Sequence, residues 1–411
     1  MRRVVITGMG ITCPIGNSVE EVWEGVKTSR NGIDFITHYD TENQKVKLAG
    51  EVKNLDLSKY VTPQEARKMD PFTQMAMYAA GQAMDASGLL EVTEDKDRWG
   101  VSIGSGIGGL QTIEKEKERG QKRGYDNVNP YFIPMTIANM AAGSVAIKYG
   151  MKGMCTCAVT ACASAGNAIG DAFHYIRDGY GDVMLAGGAE SVITPLCIGG
   201  FTSLRALTKS TDPARASIPF DKDRSGFVMG EGAAILVLEE LDHAKARGAK
   251  IYGEMIGYGA NCDAYHMTAP DPEGNGAAKC MELAMTDAHI VPSDIQYINA
   301  HGTSTKLNDS GETRAVHKAF GEAADHLKMS STKSMTGHLL GASAAVEAVI
   351  TTLAVLPQYC PPTIGLETPG DDCDLDYQPK TGEDYTISCA MSNSIGFGGH
   401  NASLIFRKYE E

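Results

Sequence analysis

Two stretches of the chain are built almost entirely from small residues. One is Ala163-Ser-Ala-Gly-Asn-Ala-Ile-Gly170; the other is Gly341-Ala-Ser-Ala-Ala345. Helices of such residues have no bulk to hold a neighbour away, so two of them in corresponding places can pack closely at the centre of a fold. Each belongs to a round of alternating strands and helices. The first round reads as a strand at Val4-Val5-Ile6 ending in Gly8-Met-Gly10. A helix follows over Ser18 to Lys27, with Ser18 as N-cap and Glu21 three residues on. Then come a helix from Phe72 to Ser87, a strand from Trp99 to Ile103, and a helix from Pro134 to Tyr149. The first small-residue helix runs from Cys162 to about Asp178. A buried strand, Asp182 to Ala186, is followed by Gly187-Gly188, and another strand covers Ala233 to Glu239. The second round begins near Lys250. Its strands are Ile251 to Gly259, Gln296 to Ala300 and Met329 to Thr332. Its helices are Asn275 to Ala288, Glu312 to Phe320 and His338 to Leu356. The expectation is a layered α/β fold of two duplicated halves, 1–249 and 250–411. No low-complexity linker divides them, so they should share one core.

Bulk properties narrow the class. Hydrophobic residues make up 43% and charged residues 21%, as in ordinary globular proteins. No apolar run reaches the roughly 18 to 20 residues that span a bilayer. The N-terminus reads as an immediate strand without a signal-peptide core, so a cytoplasmic location is expected and a membrane is not. The ten cysteines are scattered, mostly among apolar residues, which fits reduced thiols better than a disulfide framework. Cys155-Thr-Cys157 could supply two metal ligands. No partner pair has zinc-like spacing, and alternate residues of a buried strand explain the two as well. The net charge of −14 argues against nucleic acid as a partner. It also opposes an acidic protein partner unless a local basic patch overrides it. Arg67-Lys68 and the cluster from Lys115 to Arg123 are candidates, although a solvated helix surface accounts for both.

Four segments carry chemistry. Cys162 stands where an apolar stretch gives way to a small-residue helix, so its sulfur meets a helix N-terminus that favours thiolate. Asn299-Ala-His301-Gly-Thr303-Ser-Thr305 places a histidine just beyond a strand end, followed by hydroxyls. Ser331-Thr-Lys333-Ser-Met-Thr-Gly-His338 places a lysine in a turn and a histidine at a helix start. Asn393-Ser-Ile-Gly-Phe397-Gly398-Gly399 is a glycine-rich turn. A lone histidine near a strand end is more often structural, but strand-end loops are where α/β folds place ligands. Together the segments suit acyl transfer followed by carbon–carbon bond formation. A thiolate takes an acyl group, two imidazoles stabilise an enolate, and the N–H groups of Cys162 and Phe397 form an oxyanion hole.

Thr160-Ala-Cys162, the segments 299–305 and 331–338, and Gly396-Phe-Gly-Gly399 together resemble the condensing enzymes of the thiolase fold. More narrowly, they resemble the elongating β-ketoacyl-[acyl carrier protein] synthases of type II in fatty acid synthesis. The resemblance spans the chain from Val4 to Phe406. It implies an αβαβα core and decarboxylative condensation of an acyl group on Cys162 with malonyl-[acyl carrier protein]. It further implies that His301 and His338 bind the malonyl thioester carbonyl, and that Lys333 supports them electrostatically. Thr303 and Thr305 would contact the phosphopantetheine arm. Phe397, with Gly398, would gate the acyl pocket, and Ile107 would line its far end. Arg67, Lys68 and Arg205 match basic positions that dock the acidic carrier. A homodimer is expected, with no metal and no organic cofactor, since the carrier brings its own phosphopantetheine. The chain departs from the pattern at Lys306, where Pro is usual, at His400, where Thr is common, and at Met154, where Pro is usual. Residues 120–129 also differ from the usual docking loop.

Rival readings are weaker. Gly104-Ser-Gly106-Ile-Gly-Gly109 formally matches a dinucleotide fingerprint, but no acidic residue ends a second strand about 20 residues on. A non-catalytic chain-length factor would lack the nucleophile. A degradative thiolase would need a second cysteine near the glycine turn, and an initiating synthase would have Asn where His338 stands. A polyketide-type ketosynthase shares the core motifs and stays open.

Overall fold

The computed structural model describes all 411 residues. Ten strands form its main sheet: β1 (Val4–Thr12), β2 (Trp99–Gly104), β3 (Cys155–Thr156), β4 (Val183–Glu190) and β5 (Gly232–Glu240), then β6 (Gly253–Cys262), β7 (Tyr297–Asn299), β8 (Lys328–Ser330), β9 (Cys389–Gly396) and β10 (His400–Arg407). Their order in space is β8-β7-β9-β10-β6-β1-β5-β4-β2-β3. Each half therefore repeats one topology, in which its third, second, fourth, fifth and first strands lie side by side. The pairings repeat as well. β2 runs parallel to β3 and β4, as β7 does to β8 and β9, and the remaining pairs within each half are antiparallel. The halves meet along a short antiparallel seam, Val4 to Ile6 against Met255 to Gly253.

Helices fill three further layers. α1 (Pro71–Ser87) and α3 (Met140–Tyr149) cover the outer face of the first half, with α2 (Leu110–Arg123) between them in sequence. α6 (Asn275–Ala288) and α7 (Lys306–Phe320) cover the second half. Between the halves lie the two small-residue helices, α4 (Ser164–Arg177) and α8 (Ser343–Val355), each packed against strands of both halves and against the other. Every residue of α8 is buried. The layers are thus αβαβα, and the small side chains are what allow two helices into the middle layer. α5 (Pro195–Ser203) lies on the loop side and carries Phe201. No helix is long and apolar enough to cross a membrane, and all ten cysteines are free thiols.

Several local expectations are corrected. Both central helices start later than the sequence pattern implies, because Ala161–Ala163 and Leu340–Ala342 each form a 3₁₀ turn first. The helix expected from Pro134 to Tyr149 is broken: Phe132–Thr136 ends at Ile137, whose ψ of 131° is extended, and α3 starts at Met140. β4 runs on through Gly187 and Gly188 instead of turning there. A Cβ at Gly187 would stand 2.0 Å from Ala234 O, and one at Gly188 would stand 2.5 Å from the Ala165 Cβ. Those glycines serve close packing. α7 begins at Lys306, six residues before the expected start at Glu312. Cys155 and Thr156 lie on the open edge of the sheet and are exposed, so they do not form a buried strand.

The tight central layer makes a prediction. A Cβ at Gly170 would stand 2.3 to 2.4 Å from the ring of buried Tyr258. Gly170→Val should therefore cost about 1 to 3 kcal/mol by overpacking and lower the calorimetric Tm by several degrees. An unchanged Tm would show that the layer can open.

Candidate active site

The nucleophile turn is strained in the same way in both halves. Ala161 has φ +52° and Leu340 has φ +50°, left-handed values that cost an L-residue about 1 to 2 kcal/mol. Each opens a short 3₁₀ turn, after which a serine, Ser164 or Ser343, begins the helix. The turn at Cys162 is braced locally. Thr160 N–H donates to Ser164 Oγ at 2.9 Å, and that hydroxyl donates to Ala161 O at 2.7 Å. Cys162 in the first half corresponds to Gly341 in the second. Gly341 N–H donates instead to the carboxylate of Glu190 at 3.0 Å.

Glu190 also settles the glycine loop after β2. Its carboxylate accepts from the N–H groups of Gly106, Ile107 and Gly108 at 2.7, 3.2 and 3.3 Å, and from Ser105 Oγ at 3.0 Å. The donors that a dinucleotide phosphate would use are taken by an internal anion, which removes the dehydrogenase reading. Ile107, pinned in this loop, is 37% exposed and does not line the cavity at Cys162.

Three reactive groups converge from three parts of the fold. His338 Nε2 lies 3.1 Å from Cys162 Sγ. The rings of His301 and His338 meet edge to face, with centroids 5.2 Å apart. His301 follows β7, as expected from a strand-end position. Its N–H and that of Gly302 each donate to Glu312 at 2.8 Å, which ties the histidine loop to α7. The backbone of His338 is clamped on both sides: its N–H donates to Val228 O at 2.7 Å, and Gly230 N–H donates to its carbonyl at 2.8 Å. Its ring is held by Ser343 Oγ, 2.8 Å from Nδ1. A hydroxyl can donate or accept, so this contact is compatible with either tautomer of the ring.

Lys333, the first residue of a short helix at Lys333–Thr336, is buried and paired with buried Glu347 from α8. Burial lowers both imidazoles well below their usual value, and the Lys333 charge pushes them further. Both rings are therefore neutral. Burial pushes the Cys162 thiol up to about 12, opposed by the Lys333 charge and by the Phe397 N–H that faces its sulfur. The expectation of a free thiolate at a helix N-terminus is corrected: the resting group is a buried thiol hydrogen-bonded to a neutral imidazole. Glu312 and Glu347 are both raised to about 7, first by burial. The Cys162, His301 and His338 donor atoms lie within 4.8 Å of one another, a cluster a soft metal could use. The nearby Lys333 cation, which already disfavours protonated imidazoles, also disfavours a dication there.

The glycine turn closes over the nucleophile. A Cβ at Gly396 would stand 2.8 Å from Thr160 O and 3.1 Å from Cys162 N, so only a bare glycine lets this turn approach the Cys162 backbone and bring the Phe397 N–H to face the sulfur. A cavity of about 400 Å³ opens from Cys162, His301 and His338 past Phe397 to Thr303, Thr305 and Arg205. Phe397, Phe201 and Phe227 form an aromatic line that ends on His338, with centroid separations of 6.1, 5.4 and 5.2 Å. The Thr303 and Thr305 hydroxyls are 2.9 Å apart. Gly398 is exposed, and its N–H donates to Met267 O at 2.8 Å, so it shapes the turn without lining the cavity. Arg67 and Lys68 are exposed on the surface away from the cavity lining, with Lys68 Nζ over the Tyr131 ring. Glu190, Glu312, Ser343 and Glu347 were not singled out from sequence. The signal for Glu347 was present: it is the one acidic residue in an otherwise small and apolar helix.

Comparison with known proteins agrees with this geometry. The N-terminal domain family of β-ketoacyl synthases matches residues 1–244, and the C-terminal domain family matches 252–367. A protein named 3-oxoacyl-[acyl-carrier-protein] synthase 2 from Synechocystis is 50% identical over 410 residues, covering all of this chain and 99% of its own length. One of the same name from Staphylococcus aureus is 51% identical over 411 residues, with the same coverage. Among solved structures, a β-ketoacyl synthase from Burkholderia phymatum superposes with a TM-score of 0.93 at 34% identity. A type II polyketide ketosynthase in complex with its acyl-carrier protein superposes at 0.90 and 37%. Both cover all of each chain. A cysteine and two neutral histidines gathered at the centre of a duplicated αβαβα fold, and these full-length matches, lead to one conclusion: the chain belongs to the β-ketoacyl synthase family.

Proposed function

We propose that this protein condenses an acyl group held on Cys162 with malonyl-[acyl carrier protein], releasing carbon dioxide and a 3-oxoacyl-[acyl carrier protein], in fatty acid elongation. The observation that carries the reading is the convergence of Cys162, His301 and His338 beside the two N–H groups of Cys162 and Phe397. In the first half-reaction the Cys162 thiol gives its proton to His338 Nε2 as sulfur attacks the acyl thioester. The carrier leaves as a thiol with that proton, and the acyl group stays on sulfur. In the second, the malonyl thioester carbonyl sits between the His301 and His338 rings. The bond to the carboxylate breaks, carbon dioxide departs, and the electron pair becomes an enolate held by imidazole N–H donors. The enolate carbon then attacks the Cys162 thioester. The resulting oxyanion rests on the Cys162 and Phe397 N–H groups until sulfur leaves and recovers a proton. Neutral imidazoles suit this step, because each offers a hydrogen bond without a full charge to desolvate.

Thr303 and Thr305, on the cavity wall, would hold the phosphopantetheine arm. Arg205, with Arg67 and Lys68, would meet the acidic carrier. No metal or organic cofactor is required, since decarboxylation drives the reaction. The open edge at β3, where Cys155 and Thr156 are exposed and Val159 is 57% exposed, supports a homodimer. Joining two such edges would pair their free backbone groups. The fatty acid reading rests on 50–51% identity to proteins named 3-oxoacyl-[acyl-carrier-protein] synthase 2, against 37% to the polyketide ketosynthase.

Incubation with acyl-[acyl carrier protein] should add one acyl group, located by mass spectrometry on Cys162 and absent from Cys162→Ala. Acylation that persists in that variant overturns the assignment. In His338→Ala, condensation should fall by about 100- to 1,000-fold or more, while self-acylation remains measurable. If both rates stay at the wild-type level, His338 does not have this role. Both imidazoles are held below their ordinary value of 6.5. The condensation rate should therefore stay flat as pH falls from 8 to 6.5, with its acid limb lower still. The two imidazoles should also make stability decline below pH 6.5, where the unfolded chain binds protons that the folded rings refuse, while Glu312 and Glu347, raised to about 7, act with the opposite sign between about 7 and 4.5. An acid limb centred above 6.5 would contradict the neutral, depressed imidazoles.

A further inference from the structure

The mouth of the cavity has a feature that the reaction itself does not use. Its rim is built from two adjacent pairs, Leu204-Arg205 after α5 and Lys306-Leu307 at the start of α7. Leu204 and Leu307 are 55% and 59% exposed. Neither Arg205 nor Lys306 makes an ion pair, although the chain carries 51 acidic residues against 37 basic ones. Arg205 is set at φ +56°, with its N–H donating to Thr202 O at 3.0 Å, so the chain holds it at the end of α5 in a conformation that side chains rarely adopt. The Lys306 carbonyl accepts from Arg224 at 3.2 Å, which fixes the backbone of Lys306 and leaves its ammonium free. Lys306 follows directly on Thr305 and lies on the way in toward Thr303 and the histidines.

We propose that Lys306, with Arg205 across the rim, binds the phosphodiester of the incoming phosphopantetheine arm. It would be a specificity-determining residue that reads the phosphate and not the carrier's protein surface. The inference rests on the condensing function proposed above. Both cations line the cavity itself, where the arm enters, so the phosphate on the arm passes Lys306, and passes Arg205 beside the carrier surface that Arg205 also meets. Two unpaired cations on the edge of a strongly acidic molecule are also a local reversal of charge that only an anionic ligand would offset. The flanking leucines would cover the apolar part of the arm beside that phosphate. The contact is solvent-facing, so its effect should be modest and should weaken with salt.

The test compares two small substrates on enzyme already acylated at Cys162: malonyl-phosphopantetheine and malonyl-pantetheine, identical but for the phosphate. Wild type should prefer the phosphorylated substrate in kcat/KM, chiefly through KM. In Lys306→Ala that preference should shrink by roughly threefold to fivefold. It should shrink further in Lys306→Glu and return in Lys306→Arg. Thermal unfolding of each variant confirms that the fold is intact. A preference unchanged in folded Lys306→Ala overturns the proposal. So does a variant impaired only toward malonyl on the carrier protein, which would place Lys306 against the protein surface, and so does a wild type indifferent to the phosphate. Failure of the underlying function is a separate result: wild type would then yield no 3-oxoacyl product even from carrier-borne malonyl.

Discussion

The buried Lys333 ammonium organises the rest of the site. A desolvated cation costs several kcal/mol unless it is paired, and Glu347 is its one ion-pair partner. Glu347 comes from α8, so the pair requires the second central helix to lie exactly where small residues allow it. Burial lowers both imidazoles and the same charge pushes them further; it also lowers the cost of a thiolate at Cys162. Glu347 Oε2 and His301 Nδ1 are left without hydrogen-bond partners. The site thus stores unsatisfied polarity in the core, as expected where substrate groups complete the hydrogen bonding.

Duplication explains how one strained turn came to serve two ends. The Cys162 and Gly341 turns share their backbone geometry, with a left-handed residue before and a serine after. In the first half the turn presents a sulfur. In the second its N–H grips Glu190, which also anchors the loop after β2. A side chain at Gly341 would collide with Gly106 N, 2.1 Å from its Cβ. The two turns could therefore not both carry a nucleophile. One presents the sulfur and the other ties the halves together through Glu190.

Much of the site could be read from the chain because chemistry constrains residue type. A cysteine before small residues, a histidine after a strand, a lysine and histidine five residues apart and a glycine turn were each visible, and all but Gly398 and Ile107 among the expected pocket residues meet the cavity or its support. The protonation states were not visible. A helix N-terminus argues for thiolate from local sequence, yet burial from every side outweighs it, and the thiol rises to about 12. The carboxylates that brace the histidines were likewise missed. Glu312 contacts residues 301 and 302 only because α7 starts at Lys306 and folds back over the loop.

The alternation of strands and helices as far as Leu356, the duplication, and the candidate nucleophile with its histidines are legible in the sequence, because periodicity and residue chemistry are local properties; the last two strands, Cys389–Gly396 and His400–Arg407, are not. Tertiary structure decided what depends on the sum of distant neighbours. The resting thiol, the neutral imidazoles and the Glu190 anchor all come from burial by segments that the fold brings together, and the charge that acts on Cys162 sits at Lys333, 171 positions on in the chain. The free cations at the cavity mouth are of the same kind. Lys306 and Arg205 lie 101 positions apart in sequence, and only the packing of α5 and α7 around one opening makes them a pair.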